Sequence, residues 1–230
     1  KFQRIGIDPA KNLKKSLLKH ADKTIQNYFD KVKTLPKAKI ITAIAMFYDL
    51  PNPQAFTKKL KQTLADDGIG IFQLMTLAPM IEQNDVGNIC HEHIEYYSYK
   101  SLVMLFEKNG LEIYKVKTNS MNGGSYRLFI RHYNKGSIKF KEKTYTLKDF
   151  KNFFKNIEKN KKEFIEFMRK IHKKDQIIAA YGASTKGNTI IQYYGLDRKN
   201  IPVVVDVNPE KIGRFLVKSG IPIVDEIPEC

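Results

Sequence analysis

Residues 39 to 47 read KIITAIAMF, an uninterrupted β-rich run that ends at the turn YDLPNP. No polar alternation marks a wet side, so the run predicts a strand covered on both faces of a parallel sheet. Parallel strands need long crossover connections, usually helices, and the chain supplies them on either side. Residues 3 to 8 form a short apolar run closing in Asp8, and PAKNLKKSLLKH then carries Leu13, Leu17 and Leu18 at helical spacing. After YDLPNP, residues 54 to 65 place Phe56, Leu60 and Leu64 on one helical face, Gly68 marks the stop, and 69 to 75 read as the next strand.

Residues 98 to 110 predict a helix capped by Ser98 and stopped by Gly110. LEIYKVKT and SYRLFIRHY alternate as two strands joined by NSMNGG, an antiparallel pair at a sheet edge. From 147 to 171, Leu147, Phe150, Phe154, Ile157, Phe164, Met168 and Ile171 recur every three or four positions among lysines, which predicts one long amphipathic helix bridging two domains. QIIAAYGA, TKGNTIIQYYG and IPVVVDVN then repeat strand, helix, strand. The order predicts an α/β protein with a doubly wound sheet followed by a second Rossmann-like α/β domain.

At 230 residues, 42% of them hydrophobic, the chain has enough material for one large domain or two modest ones. No run of about 18 apolar residues is present and no charged-then-apolar segment opens the chain, which predicts a cytoplasmic protein with no membrane partner. The only cysteines, Cys90 and Cys230, cannot build a disulfide framework or a four-thiolate zinc site. A formal charge of +16 suits solvated surfaces or attraction of a phosphorylated small molecule, and nucleic acid is not expected as a partner. The chain opens without Met inside an apparent strand and closes just after another, so it reads as an internal piece.

Three stretches concentrate polar chemistry. NICHEHIEYYS (88–98) reads as a polar loop, as an acid–base site, or as a source of two metal ligands from His91 and His93. The spacing does not match the zinc-protease pattern, and no metal is expected. MNGGS (121–125) is a turn or a place where backbone approaches a ligand closely. YGASTKGN (181–188) passes from strand to helix with Lys186 near a helix N-terminus, and Asp206 ends the following strand, so a nucleotide-type site and a helix cap with an extended lysine both fit.

Taken in order, ICHEHIEYYSYKSLVMLFEKNGLEIYKV, MNGGSYRLFIRHY, YGASTKGNTIIQYYG and DVNPEKIGRF resemble the S-adenosylmethionine-dependent sugar C-methyltransferase family, the group that includes TDP-sugar C-3 methyltransferases. The resemblance runs from IGIDPA to GIPIV. It implies a class I methyltransferase core over residues 1–136 lacking its first strand and glycine loop, a strand, linker and long helix over 137–174, and a truncated Rossmann-like domain over 175–230. Zinc would belong only to an upstream module that this sequence does not contain.

The implied reaction is deprotonation next to the carbonyl of a nucleotide-linked keto sugar, followed by methyl transfer to that carbon. His93 matches the general base and Glu92 its orienting partner. Asp8 matches the acid that holds the cofactor ribose, and Phe29 and Ala45 fall where the adenine pocket would be lined. Substrate contacts are expected from Asn122, Ser125, Arg127 and Lys186. Two departures add Cys90, where relatives carry Tyr, and Asp49, where some carry His. The competing readings are an NAD-dependent sugar-nucleotide enzyme, resting on YGASTKGN and Asp206, and a catalytically incomplete binding module; this piece alone is expected to be inactive, and its oligomeric state is not legible.

Overall fold

The computed structural model describes residues 2–174 and 176–226, so Cys230 lies outside the described residues. In chain order the elements are β1 (Ile5–Ile7), α1 (Lys14–His20), β2 (Lys23–Ile25), β3 (Ala38–Ile44), α2 (Pro53–Thr63), β4 (Leu64–Met75), α3 (Leu77–Glu82), α4 (Tyr99–Lys108) and β5 (Leu111–Asn119). They continue with β6 (Ser125–His132), α5 (Leu147–His172), β7 (Ala180–Tyr181), α6 (Thr185–Tyr194), β8 (Val204–Val205) and β9 (Ile223–Val224). The chain divides into two compact units. One holds residues 2–75, 97–121 and 125–141, the other 76–96, 122–124 and 142–226. The stretch 76–96 belongs to the second unit because it packs with α5 and α6.

In the first unit β1 and β2 pair in parallel, Ile5 beside Lys23 and Ile7 beside Ile25. A separate four-stranded sheet has the order β3-β4-β6-β5, with β3 parallel to β4 and the β6 and β5 pairings antiparallel. The α/β class holds. The expectation that β3 is covered on both faces does not: Ile40 is 59% and Ile44 51% exposed. The ladder stops between the β1–β2 pair and β3, so β3 is an edge, and its even-numbered residues lie on an open face.

The opposite face is dry. Pro53 opens α2 and the Asn52 side chain accepts from the Ala55 amide at 2.9 Å, a cap that fixes where the helix starts. Phe56 and Leu60 then fall one turn apart on α2, and Leu102 and Phe106 do so on α4. Phe47, Phe56, Phe72 and Phe106 meet there with ring centroids 5.2–6.0 Å apart, the separation at which aromatic pairs attract. Gly68 does not end a helix. It sits within β4 at an irregularity of the β3 register, where a Cβ would stand 2.8 Å from the Ala38 carbonyl oxygen.

In the second unit, Thr146 and Asp149 form a reciprocal capping box at the start of α5. This helix serves two apolar clusters: Phe153 and Ile157 pack with Met80, Ile81 and Val86, and Met168 packs with Ile191, Leu196, Val204 and Ile223. The inward face uses Phe153, and Phe154, expected inside, is exposed. β7, β8 and β9 form a small parallel sheet, the QIIAAYGA run shrinking to the two residues of β7.

The sheet edge at β5 is held by one carboxylate. Glu112 is fully buried and accepts from Arg131 Nε at 2.7 Å and from the amides of Asn134, Lys135 and Gly136 at 2.7–2.8 Å. Burial alone would push its pKa up; the three amides and the guanidinium outweigh that and hold it below the usual glutamate value. A depressed folded-state pKa contributes stability that is present above the unfolded value of about 4.3 and is lost as pH falls through the folded value. Glu112→Gln is therefore expected to lower stability by roughly 1.5–3 kcal/mol at neutral pH. In urea melts it should also flatten the acid-side decline that the wild type shows below about pH 4.

Candidate active site

In the first unit Asp8 and Ala45 follow the carboxyl ends of β1 and β3, the ends at which open α/β sheets bind ligands. Asp8 follows β1; its Oδ1 accepts from the Ala10 amide at 2.8 Å, and its backbone amide donates to Ile25. The second carboxylate oxygen faces no protein donor among the described residues, so it can accept from a ligand hydroxyl. A small cleft beside it is lined by Asp8, Lys14, Thr24 and Gln26. Ala45 follows β3 in the left-handed region at φ 52°, is exposed, and donates its amide to the Gln73 carbonyl at 2.8 Å. That conformation costs a non-glycine residue energy and is common at ligand sites. Phe29 is half-buried, its ring centroid 4.8 Å from that of Phe56 in a tilted contact. Asp49 lies in the turn Phe47–Asp49 and is partly buried.

Arg127 is exposed on β6 and donates through Nε and Nη2 to the Gln73 side-chain oxygen at 3.1 and 2.7 Å. Asn119 reaches the same oxygen at 3.4 Å. Gln73 is buried and neutral, so it fixes the guanidinium without cancelling its charge. Ser125 donates its hydroxyl to the Met121 carbonyl at 2.8 Å, leaving only lone pairs for a substrate.

In the second unit His93 is half-buried, with Nδ1 2.8 Å from the Asn88 carbonyl oxygen. A carbonyl only accepts, so Nδ1 carries the proton and base chemistry falls to Nε2. Asn88 is 2% exposed, and the same carbonyl accepts from Tyr96 Oη at 3.2 Å. Burial first, and the neighbouring Cys90 second, push the Tyr96 phenol up, so it remains a donor. Cys90 is a half-buried free thiol whose carbonyl accepts from the His93 amide at 3.2 Å. Glu92 is exposed, and the Nδ1 side of the His93 imidazole meets a backbone carbonyl. Among the described residues, no group of three or more His, Cys, Asp or Glu is placed to hold a metal.

Lys186 does not point into an empty phosphate turn. Its Nζ lies 2.7 Å from Asp85 Oδ2 and 3.3 Å from the Asn122 carbonyl. Asp85 Oδ2 also accepts from Asn88 Nδ2 at 2.7 Å. Asp206 is likewise engaged, accepting from the amides of Ala183 and Asn208 at 2.7 and 2.8 Å, with Lys211 beside it. The groups that a nicotinamide site would need in YGASTKGN and Asp206 are thus already paired with protein. In the first unit Gln73 holds Arg127, and in the second Asp85 and Asn88 hold Lys186 and His93; Asn88 opens the histidine stretch, whereas nothing in the sequence marked Gln73 or Asp85.

A model described as a methyltransferase domain matches residues 1–116, and one described as a C-methyltransferase C-terminal domain matches residues 120–228. The first match sets the class, a methyltransferase. C-methyltransferase NovU from Streptomyces niveus is 26% identical over 236 residues, which take in 95% of this chain and 56% of NovU. The chain belongs to the S-adenosylmethionine-dependent C-methyltransferases, and it spans little more than half the length of the curated relative it matches. Among solved structures, a possible histamine N-methyltransferase from Thermotoga maritima aligns with a TM-score of 0.47 at 14% identity, over 57% of this chain and 73% of its own. LepI in complex with SAM aligns at 0.46 and 9% identity, over 56% of this chain and 36% of its own.

The MNGGS loop is held by close packing. Gly124 has φ 121°, and a Cβ there would stand 2.5 Å from Pro79 Cβ, whereas Gly182, at φ 91°, has open space around it. Gly124→Ala is expected to destabilise the protein by more than the roughly 1–3 kcal/mol that backbone strain alone costs, and Gly182→Ala by strain only. Chemical denaturation of the two variants side by side measures the difference.

Proposed function

We propose that the enzyme to which this chain belongs methylates carbon next to the carbonyl of a nucleotide-linked keto sugar, with His93 as the base. The observation that carries the reading is the Asn88 carbonyl on His93 Nδ1, which presents Nε2 as the acceptor. When bound, S-adenosylmethionine supplies an electrophilic methyl group on a sulfonium, and Asp8, with an oxygen available at the end of β1, is the residue that fits its ribose hydroxyls.

The protein's task is to make and hold the carbon nucleophile. The carbonyl acidifies the neighbouring C–H; Nε2 takes that proton, the C–H electron pair becomes the enolate, and the imidazole becomes imidazolium. The enolate carbon would then form the new C–C bond as the methyl–sulfur bond of the bound cofactor breaks, its electron pair staying on sulfur to leave S-adenosylhomocysteine. Holding both reactants in contact supplies much of the acceleration. Arg127, fixed by a neutral glutamine, keeps its charge for a diphosphate, and the net charge of +16 favours the encounter.

The open edge of β3 and the separate β1–β2 pair support placing a further strand between them, which upstream sequence with the glycine loop would provide. Among the described residues no helix is long and apolar enough to cross a membrane, and a cytoplasmic location fits a nucleotide-sugar substrate.

Calorimetry on the full-length protein tests the reading. Binding of S-adenosylhomocysteine and of a TDP-linked keto sugar, without NAD binding, is expected; the reverse pattern would end it. His93→Asn is expected to lower turnover by ~10²–10⁴ while S-adenosylhomocysteine affinity stays unchanged, and a loss of less than about tenfold would remove His93 as the base.

A further inference from the structure

Asn88 supplies a backbone carbonyl to the base, and a carbonyl in a single turn is only as well aimed as the turn itself. The turn Val86–Asn88 closes through Val86 N to the Asn84 carbonyl at 3.0 Å and Ile89 N to the Val86 carbonyl at 2.9 Å, which leaves its orientation to whatever grips it from outside. That grip comes from Asp85 and α6. Asp85 Oδ2 accepts from Asn88 Nδ2 and from Lys186 Nζ, both at 2.7 Å. Gly87 lets α6 press against the turn: a Cβ at that position would stand 3.2 Å from Ile190 Cδ1 and 3.3 Å from Lys186 Cβ.

α6 is itself fixed. Ser184 caps it by accepting from the Gly187 amide at 3.1 Å. The preceding segment is tied down through the Ala183 amide to Asp206 at 2.7 Å and through Lys211 Nζ to the Ala183 carbonyl at 2.9 Å.

We propose that the Asp85–Lys186 ion pair is a positioning device for the base: it carries the rigidity of α6 through Asn88 to His93 and holds the imidazole as the Nδ1–H tautomer. The C-terminal α/β region then has a part in the reaction without touching a reactant, and Lys186 serves the base and not a phosphate. This rests on the reading of His93 as the base, but the tautomer is measurable without turnover.

The test is a long-range ¹⁵N–¹H correlation spectrum of the ¹⁵N-histidine-labelled chain at alkaline pH, where imidazole is neutral. The wild type is expected to show His93 as a single Nδ1–H tautomer. Asp85→Ala and Lys186→Met are expected to introduce a substantial Nε2–H population, and Lys186→Arg, which keeps the cation, to restore the wild-type pattern. An Nε2–H tautomer in the wild type overturns the proposal without any variant. So does a retained Nδ1–H tautomer in folded Lys186→Met, a change at a side chain already one-third exposed that leaves the core untouched if Asp85→Ala does not fold.

In the full-length enzyme Lys186→Met should lower kcat by about tenfold or more, part of what a general base contributes, with KM for S-adenosylmethionine unchanged. A wild-type enzyme that transfers no methyl group would sink the functional reading and leave the tautomer result standing. Loss of turnover in His93→Asn with tautomers unmoved in every variant would sink only the positioning role.

Discussion

One carboxylate oxygen, Asp85 Oδ2, holds three stretches of the second unit together. It accepts a hydrogen bond from the Asn88 side-chain amide three residues on, pairs with Lys186 from α6, and faces Gly123, whose Cβ would stand 3.0 Å away. A half-buried anion costs desolvation, and what offsets it here is that one cation and one amide donor point at the same atom. Removing any one of them leaves the others with an unmet polar group. The segments that bear His93 and the MNGGS loop are therefore specified by a polar contact, laid over the apolar packing of Val86, Ile190 and Phe153.

The first unit is organised on the opposite principle. Its strands are held by a stack of phenylalanines on one face, where geometry matters less than filling the space. The polar groups sit at the rim: Glu112 gathers the chain after β6, and Gln73 gathers Arg127 and Asn119. The second of these groups lies at the end of β4 where ligand chemistry is expected, so the apolar face supplies a rigid platform and the rim supplies direction.

Long periodic segments were legible in the sequence. α2, α4, α5 and α6 fall close to where the spacing of apolar residues and, for α4, the cap Ser98 put them. β2 was not, because Lys-Thr-Ile is too short to show a period. KIITAIAMF reads as a doubly covered strand, and its residues would suit one; what it lacks is a layer packed over the face that carries Ile40 and Ile44, which composition cannot reveal. At the candidate site, the ordered motifs singled out His93 and Asp8. They pointed to Glu92 as the orienting group because side chains carry signatures in a sequence, whereas the Asn88 carbonyl, a group every residue has, carries none. Lys186 was misread as ligand-facing for a related reason: its partner lies 101 residues earlier.

Gly87 leaves no room between the turn and α6, and this bears on how the protein can change over generations. A methyl group there would stand 3.2 Å from Ile190 Cδ1 and 3.3 Å from Lys186 Cβ, so changes at residue 87 and changes in α6 are coupled through this contact. Exchanging C-terminal regions between relatives, an otherwise natural route to new specificities, would carry the loop's partners away with it. Swaps that keep residues 85, 87, 186 and 190 together as a set are the ones that leave the loop intact.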